Sequence, residues 1–155
     1  MRATWSGDEI LAVARTIYDE RLAAREERPV VNYAESAFRV LAPHYMGRRT
    51  EAVTLLLLDS ANRLTALVDV SKGTVDGSAV YPREVVRLVI ENHATGVILA
   101  HNHPSGRIVP SEADRSLTRR IGTAMRAIDV RMLDHVIVGD REFYSFADHH
   151  EGSLR

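Results

Sequence analysis

The chain has 155 residues, which is enough for one domain with a substantial buried core. Its 20 Lys and Arg residues balance 21 Asp and Glu residues, so no overall basic charge favours nucleic-acid binding. It contains no cysteine, which excludes disulfides and thiolate-ligated zinc and fits a reducing cytoplasm. No apolar run approaches the roughly 20 residues of a membrane span, and the first residues lack the layout of a secretory signal. We therefore expect a cytoplasmic protein that makes no use of a membrane.

The hydrophobic periodicity predicts helices mixed with strands. In chain order the predicted elements are a helix at 7–27, a helix at 33–41, strands at 51–59 and 63–70, a helix at 82–93, a strand at 96–100, a helix at 111–126, a strand at 131–138 and a last short strand ending at 146. Ser6 is placed to cap the first helix, Pro82 opens the third, and residues 60–62 form a hairpin turn. His44 and His93 fall at helix C-terminal ends, where an imidazole suits exposed carbonyls. Helices and hairpins around a central sheet indicate a mixed α/β (α+β) fold.

The stretch from His101 to Asp114 carries the strongest indication of chemistry. It reads His101-Asn-His103-Pro-Ser-Gly-Arg-Ile-Val-Pro-Ser111-Glu-Ala-Asp114 and follows the short apolar run 96–100. Residues i and i+2 of a strand share a face, so His101 and His103 should project together from the strand end. Asp114 should lie in the first turn of the next helix, directed back toward that end. Two imidazoles and one carboxylate give three ligands with a fourth position open, as in catalytic zinc sites.

A purely structural interpretation of the same residues is available. Ser111-Glu-Ala-Asp114 is also a capping box, in which the serine and the acid each satisfy a free N–H of the first helical turn. A His-x-His followed by Pro-Ser-Gly is ordinary turn chemistry when it stands alone. Ser111 can cap its helix and still present its hydroxyl, so the two interpretations are partly compatible.

The spacing His-x-His, seven residues, Ser, two residues, Asp resembles the metal-binding motif of the JAB/MPN (JAMM) metalloprotease superfamily. Four segments resemble its RadC branch in particular, namely 81–86, 96–106, 110–114 and 133–138. The resemblance covers residues 36–147, and it implies a three-layer MPN/JAB-like fold with a central mixed sheet flanked by helices. Residues 1–35 would then be an N-terminal helical extension and 148–155 a tail.

The resemblance also implies roles for individual side chains. His101, His103 and Asp114 would bind one Zn²⁺ per chain, and Ser111 would steady the tetrahedral intermediate. Glu51, at the start of a predicted strand, would act as general base on the metal-activated water. Glu84 is the competing candidate, although a carboxylate in a first helical turn is also explained by the helix dipole.

The resemblance implies a zinc-dependent hydrolase that cleaves a peptide or isopeptide bond, with a peptide or protein as its substrate. One alternative is a metal-dependent DNA-processing protein, since RadC proteins carry a DNA-repair name. Full-length members have a helix-hairpin-helix module before the metal domain, and the first ~30 residues here lack its paired short helices and Gly-containing hairpin. A second alternative is a non-catalytic MPN scaffold, which the intact motif argues against.

Two further features admit both a structural and a functional interpretation. His135, in Asp134-His135 at the start of an apolar strand, is predicted to be a structural histidine rather than a fourth ligand. A basic run at helical spacing is predicted to be a solvated face, with contact to an anionic substrate as the alternative; its members are Arg115, Arg119, Arg120 and Arg126.

Overall fold

The computed structural model describes residues 5–23, 28–72, 79–151 and 154. Its elements in chain order are α1 (Gly7–Ala23), α2 (Ala34–Tyr45), β1 (Ala52–Leu58), β2 (Leu64–Lys72), α3 (Pro82–Glu91), β3 (Gly96–Asn102), α4 (Glu112–Ala127), β4 (Arg131–Val138) and β5 (Phe143–Ser145). Every helix and strand predicted from the sequence is present. The predicted last turn of the first helix, 24–27, lies outside the described residues. None of the helices in the described ranges has the length and apolar character that a membrane span requires.

In the described ranges five strands form one mixed sheet in the order β2-β1-β3-β4-β5. β1 is antiparallel to both β2 and β3, β4 is parallel to β3, and β5 is antiparallel to β4. The connection between the two parallel strands runs through α4. β1 and β3 are buried along their whole length, which explains why both are mostly apolar, with Thr54, His101 and Asn102 as buried polar residues.

The core consists of two apolar clusters, one on each face of the sheet. Alternate residues of β1 point to opposite faces, so Leu56 and Leu58 enter one cluster and Leu55 and Leu57 the other. The first cluster is covered by α2, and the second by α3 and α4. Two layers of helices therefore enclose the sheet. This arrangement confirms the expected mixed fold and is consistent with the MPN/JAB-like architecture.

Local signals account for several element ends. The Ser6 N–H and hydroxyl donate to Glu9 Oε2 at 2.7 and 2.8 Å, which is the predicted cap of α1. Asn62 adopts φ 56° in the turn between β1 and β2, a conformation that asparagine tolerates better than most residues. α2 extends to Tyr45, beyond the predicted end at residue 41, because its last turn packs into the first core cluster.

His44 lies in the last turn of α2, as predicted, but its ring is buried and contacts carboxylates instead of the carbonyls at the helix end. Its Nδ1 lies 3.0 Å from both carboxylate oxygens of Asp19, and its Nε2 lies 2.8 Å from Asp69 Oδ1. Asp69 also accepts from the Thr54 hydroxyl and pairs with Arg48, both at 2.8 Å. Burial alone would raise the pKa of Asp69, but the contacts with His44, Thr54 and Arg48 outweigh it and hold that pKa well below its usual range. This polar network joins α1, α2 and the sheet.

Candidate metal centre

The end of β3 presents two histidines to the same side of the sheet. His101 is buried in the strand, flanked by Val53 of β1 and Ile137 of β4. His103 directly follows the strand, and its N–H donates to the Val138 carbonyl at 3.1 Å. The two Nε2 atoms lie 2.9 Å apart. The extended backbone thus brings both imidazoles together, as the i, i+2 spacing predicts.

The first turn of α4 supplies the carboxylate. Ser111 is the N-cap: its Oγ accepts the Asp114 N–H at 3.1 Å. In return the Ser111 N–H and hydroxyl donate to Asp114 Oδ2 at 2.7 and 2.6 Å. The predicted capping box is therefore present, and it fixes the rotamer of the aspartate. Asp114 Oδ1 lies 3.2 Å from His101 Nε2, and Oδ2 lies 3.8 Å from His103 Nε2.

These three donor atoms fit a zinc ion. Zinc bonds of about 2.0–2.1 Å at tetrahedral angles place neighbouring ligand atoms about 3.3 Å apart. The two Nε2 atoms are 2.9 Å apart, Asp114 Oδ1 is 3.2 Å from His101 Nε2 and Asp114 Oδ2 is 3.8 Å from His103 Nε2, so the separations lie on either side of that value. Among the residues that the structure describes, one group of three or more His, Cys, Asp or Glu side chains could hold a metal ion. Its members are His101, His103 and Asp114. Three protein ligands leave a coordination position for water or substrate, as catalytic zinc sites do.

Electrostatics keep Asp114 in its ligating form. Partial burial would raise the pKa of its carboxyl, but the contact with His101 and the two hydrogen bonds from Ser111 outweigh that effect. The pKa of Asp114 therefore lies well below its usual range. A carboxylate that is ionised at neutral pH is what a divalent metal requires.

Both histidines are held by contacts at Nδ1. His103 Nδ1 lies 2.6 Å from the Arg107 carbonyl oxygen, and His101 Nδ1 lies 2.8 Å from His135 Nε2. His135 in turn has its Nδ1 2.6 Å from the Thr118 hydroxyl, so both its ring nitrogens are engaged. Burial lowers the pKa of His135 well below its usual value, so its ring is neutral. These contacts fit the structural role predicted for His135 and not a fourth ligand.

The same region of the chain matches a known family. Residues 31–152 match the model of the RadC-like JAB domain. The chain belongs to the RadC-like JAB family. A UPF0758 protein of Shewanella baltica (strain OS185) is 52% identical over 101 residues, 65% of this chain and 45% of that relative. UPF0758 proteins of Shewanella sp. (strain ANA-3) and Shewanella oneidensis give the same identity and coverage. The match spans less than half the length of these relatives, and their names state no activity.

Glu51, the general base implied by the RadC-like JAB resemblance, lies one residue before β1 and is exposed. Val53 is paired with His101, so extending that antiparallel register by two residues brings Glu51 level with His103 on the same face. Asn102, between the two histidines, binds this segment: its Oδ1 accepts the Ala52 N–H at 2.8 Å, and its Nδ2 donates to the Thr50 carbonyl at 3.1 Å. The sequence interpretation assigned Asn102 to turn chemistry and missed this role. An amide between two motif histidines at a strand end was the available signal.

The competing acid and most of the basic run have partners elsewhere. Glu84 pairs with Arg87 at 3.2 Å on α3, as an ordinary ion pair within a helix. On α4, Arg119 pairs with Glu112 at 3.0 Å and Arg115 pairs with Glu151. These pairs support the interpretation of the basic run as a solvated face.

A cleft of about 440 Å³ borders the candidate metal centre of this RadC-like JAB domain at His103. His103 and Pro104 line it at one side, and Tyr45, Arg48 and Arg49 line it near the end of α2. A larger cavity of about 880 Å³ lies at the start of β4, and none of the three candidate ligands lines it. Of these two cavities, the smaller cleft is the one lined by a candidate ligand, His103.

Proposed function

We propose that this RadC-like JAB domain is a zinc-dependent hydrolase of the JAMM type that cleaves a peptide or isopeptide bond. The observation that carries the proposal is the convergence of His101, His103 and Asp114 on one point beside an open cleft. The end of β3 positions the two histidines, and the capping box of α4 positions Asp114. The secondary structure therefore fixes the arrangement of the three side chains. A purely structural helix cap has no need of two imidazoles within 4 Å of its carboxylate.

When bound, zinc would acidify a water molecule and polarise the scissile carbonyl. His101 Nε2, His103 Nε2 and one Asp114 oxygen would hold it. Glu51, on the same face and level with His103, would accept a proton from the attacking water and deliver it to the leaving amine. Ser111 fixes Asp114 through its N–H and hydroxyl, and a substrate that displaced the hydroxyl from the carboxylate would let it donate to the developing oxyanion.

The first test is the metal content of the purified, tag-free protein. We expect about one zinc per chain in the wild type and loss of that zinc in His103→Ala, because two remaining ligands bind zinc weakly. His149→Ala is the matched control, since His149 is exposed and stacks on Tyr144 rather than joining the ligand group. It should retain the metal. A wild type without metal even after zinc is added back would favour a non-catalytic scaffold.

The second part of the test is turnover by the zinc-loaded protein. We expect cleavage of members of a panel of peptides and isopeptide-linked conjugates, and no activity in His103→Ala or after chelation. Single- and double-stranded DNA are included in the panel. Cleavage of DNA alone, with every peptide intact, would replace the peptidase proposal with metal-dependent DNA processing.

A further inference from the structure

A chain of buried hydrogen bonds runs from the backbone of α4 to the candidate ligand His101. The Thr118 hydroxyl lies 2.7 Å from the Asp114 carbonyl oxygen and 2.6 Å from His135 Nδ1. His135 Nε2 lies 2.8 Å from His101 Nδ1. Thr118, His135 and His101 are each at most 1% exposed, so water does not compete for these positions.

The donor and acceptor at each step follow from counting protons. A carbonyl oxygen only accepts, so the single hydroxyl proton of Thr118 must point at Asp114. Thr118 Oγ can then only accept from His135, which places the proton of the neutral His135 ring on Nδ1. His135 Nε2 is left as an acceptor, and it takes the proton on His101 Nδ1. When the His101 ring is neutral, its Nε2 therefore carries the lone pair and is the nitrogen that faces His103 and Asp114.

We infer that Thr118 and His135 are positioning residues that fix His101 in the Nδ1–H tautomer needed to bind a metal through Nε2. The inference rests on the metal centre of the proposed function, and it adds residues outside the ligand motif. The tautomer of His103 is fixed by a single contact, because its Nδ1 must donate its proton to the Arg107 carbonyl oxygen. The His135 ring is itself held flat against Phe146, with centroids 4.8 Å apart and planes 10° apart.

Paired substitutions at Thr118 provide the cleanest test. Thr118→Val removes the hydroxyl with little change of shape, and Thr118→Ser keeps it. In metal-free protein with ¹⁵N-labelled histidine, two-bond ¹H–¹⁵N spectra should show His101 as the Nδ1–H tautomer in wild type and Thr118→Ser. In Thr118→Val, His135 is free to change tautomer, so a population of His101 with its proton on Nε2 should appear. A change of packing alone would not move a proton between the two nitrogens.

Zinc affinity measured by competition with a chelator is the second readout. His135→Phe keeps an aromatic ring against Phe146 but removes the acceptor, and it should weaken zinc binding by about 10- to 100-fold. Thr118→Val should shift affinity in the same direction, and Thr118→Ser should restore it. Should His135→Phe not fold, the Thr118 pair still decides the question.

Two results would overturn the inference: an Nε2–H tautomer of His101 in the metal-free wild type, or equal zinc affinity in wild type, His135→Phe and Thr118→Val. A wild type that shows the Nδ1–H tautomer but binds no zinc would support the tautomer assignment and overturn the proposed function. The two proposals can therefore fail separately.

Discussion

Asn102 shows how one side chain connects the two parts of the candidate site. Its amide binds the backbone on both sides of Glu51, through the Ala52 N–H and the Thr50 carbonyl. Because Asn102 lies between the two candidate histidine ligands, this three-residue segment carries both imidazoles and also positions the backbone around the candidate base. Glu51 is exposed, as the proposed role of a base acting on a water molecule would require.

Replacing Glu51 tests its role against that of Glu84. We expect Glu51→Gln to retain zinc and lose activity by about 100-fold or more, since an amide cannot accept the proton of water. Glu84→Gln should retain both zinc and activity, because Glu84 is engaged with Arg87. Metal content and steady-state turnover of the two variants measure this. A fully active Glu51→Gln beside an inactive Glu84→Gln would reassign the base.

At the scale of elements, the polar network around His44 is what attaches α1 to the rest of the domain. Ile10, Val13 and Ile17 of α1 remain exposed, and Tyr18 packs against the first core cluster, so apolar burial accounts for only part of its attachment. Asp19 of α1 instead contacts His44 of α2, whose other nitrogen faces Asp69 of β2. Buried charges of this kind are costly to leave without partners, so the network should be sensitive to the loss of any member.

Asp69→Asn is expected to lower the free energy of unfolding by about 3 kcal/mol at pH 7, because it leaves Arg48 and His44 without their carboxylate. The pKa of Asp69 is depressed in the folded state, so its contribution is present above the unfolded pKa of about 3.9 and is lost as pH falls below it. The wild type should therefore lose stability on acidification more steeply than the variant. Denaturant unfolding between pH 3 and 7 measures both effects.

The control for that prediction is Asp8→Asn, which removes the exposed ion pair between Asp8 and Arg49. Exposed pairs contribute about 0–1 kcal/mol, so this variant should unfold nearly as the wild type does. Equal effects of the two substitutions would contradict the view that the buried network carries the attachment of α1.

At the scale of the whole molecule, we expect the fold not to depend on a bound metal. Two apolar clusters cover the two faces of the sheet, while the three candidate ligands lie at the C-terminal end of the central strand β3 and in the first turn of α4. Open catalytic sites of this kind are seldom what holds a core of this size together. Loss of the metal should leave a folded domain.

Asp114→Ala tests this independence. In metal-free samples we expect a cooperative thermal transition lowered by about 2–4 °C, since the loss of a helix-capping interaction costs about 1 kcal/mol. The variant should also bind no zinc. Glu112→Ala removes an exposed carboxylate two residues before Asp114 in the same helical turn. This variant should keep both the metal and the transition temperature. An unfolded Asp114→Ala protein would show that the site holds the fold together.

The sequence by itself determined the order of helices and strands, the three candidate ligands and the capping role of Ser111, because each depends on neighbours within a few residues. Strand alternation brings His101 and His103 to one face, and the capping box directs Asp114, before any long-range contact is known. Tertiary structure decided the rest. His44 and Asp69 are 25 residues apart, and His101 and His135 are 34 apart. The first contact exists only once α2 packs over the sheet beside β2, and the second only once β3 pairs with β4. Local periodicity does not predict which two buried polar groups will form a hydrogen bond with each other. The partners of the candidate ligands, such as His135, could therefore be identified only from the folded structure.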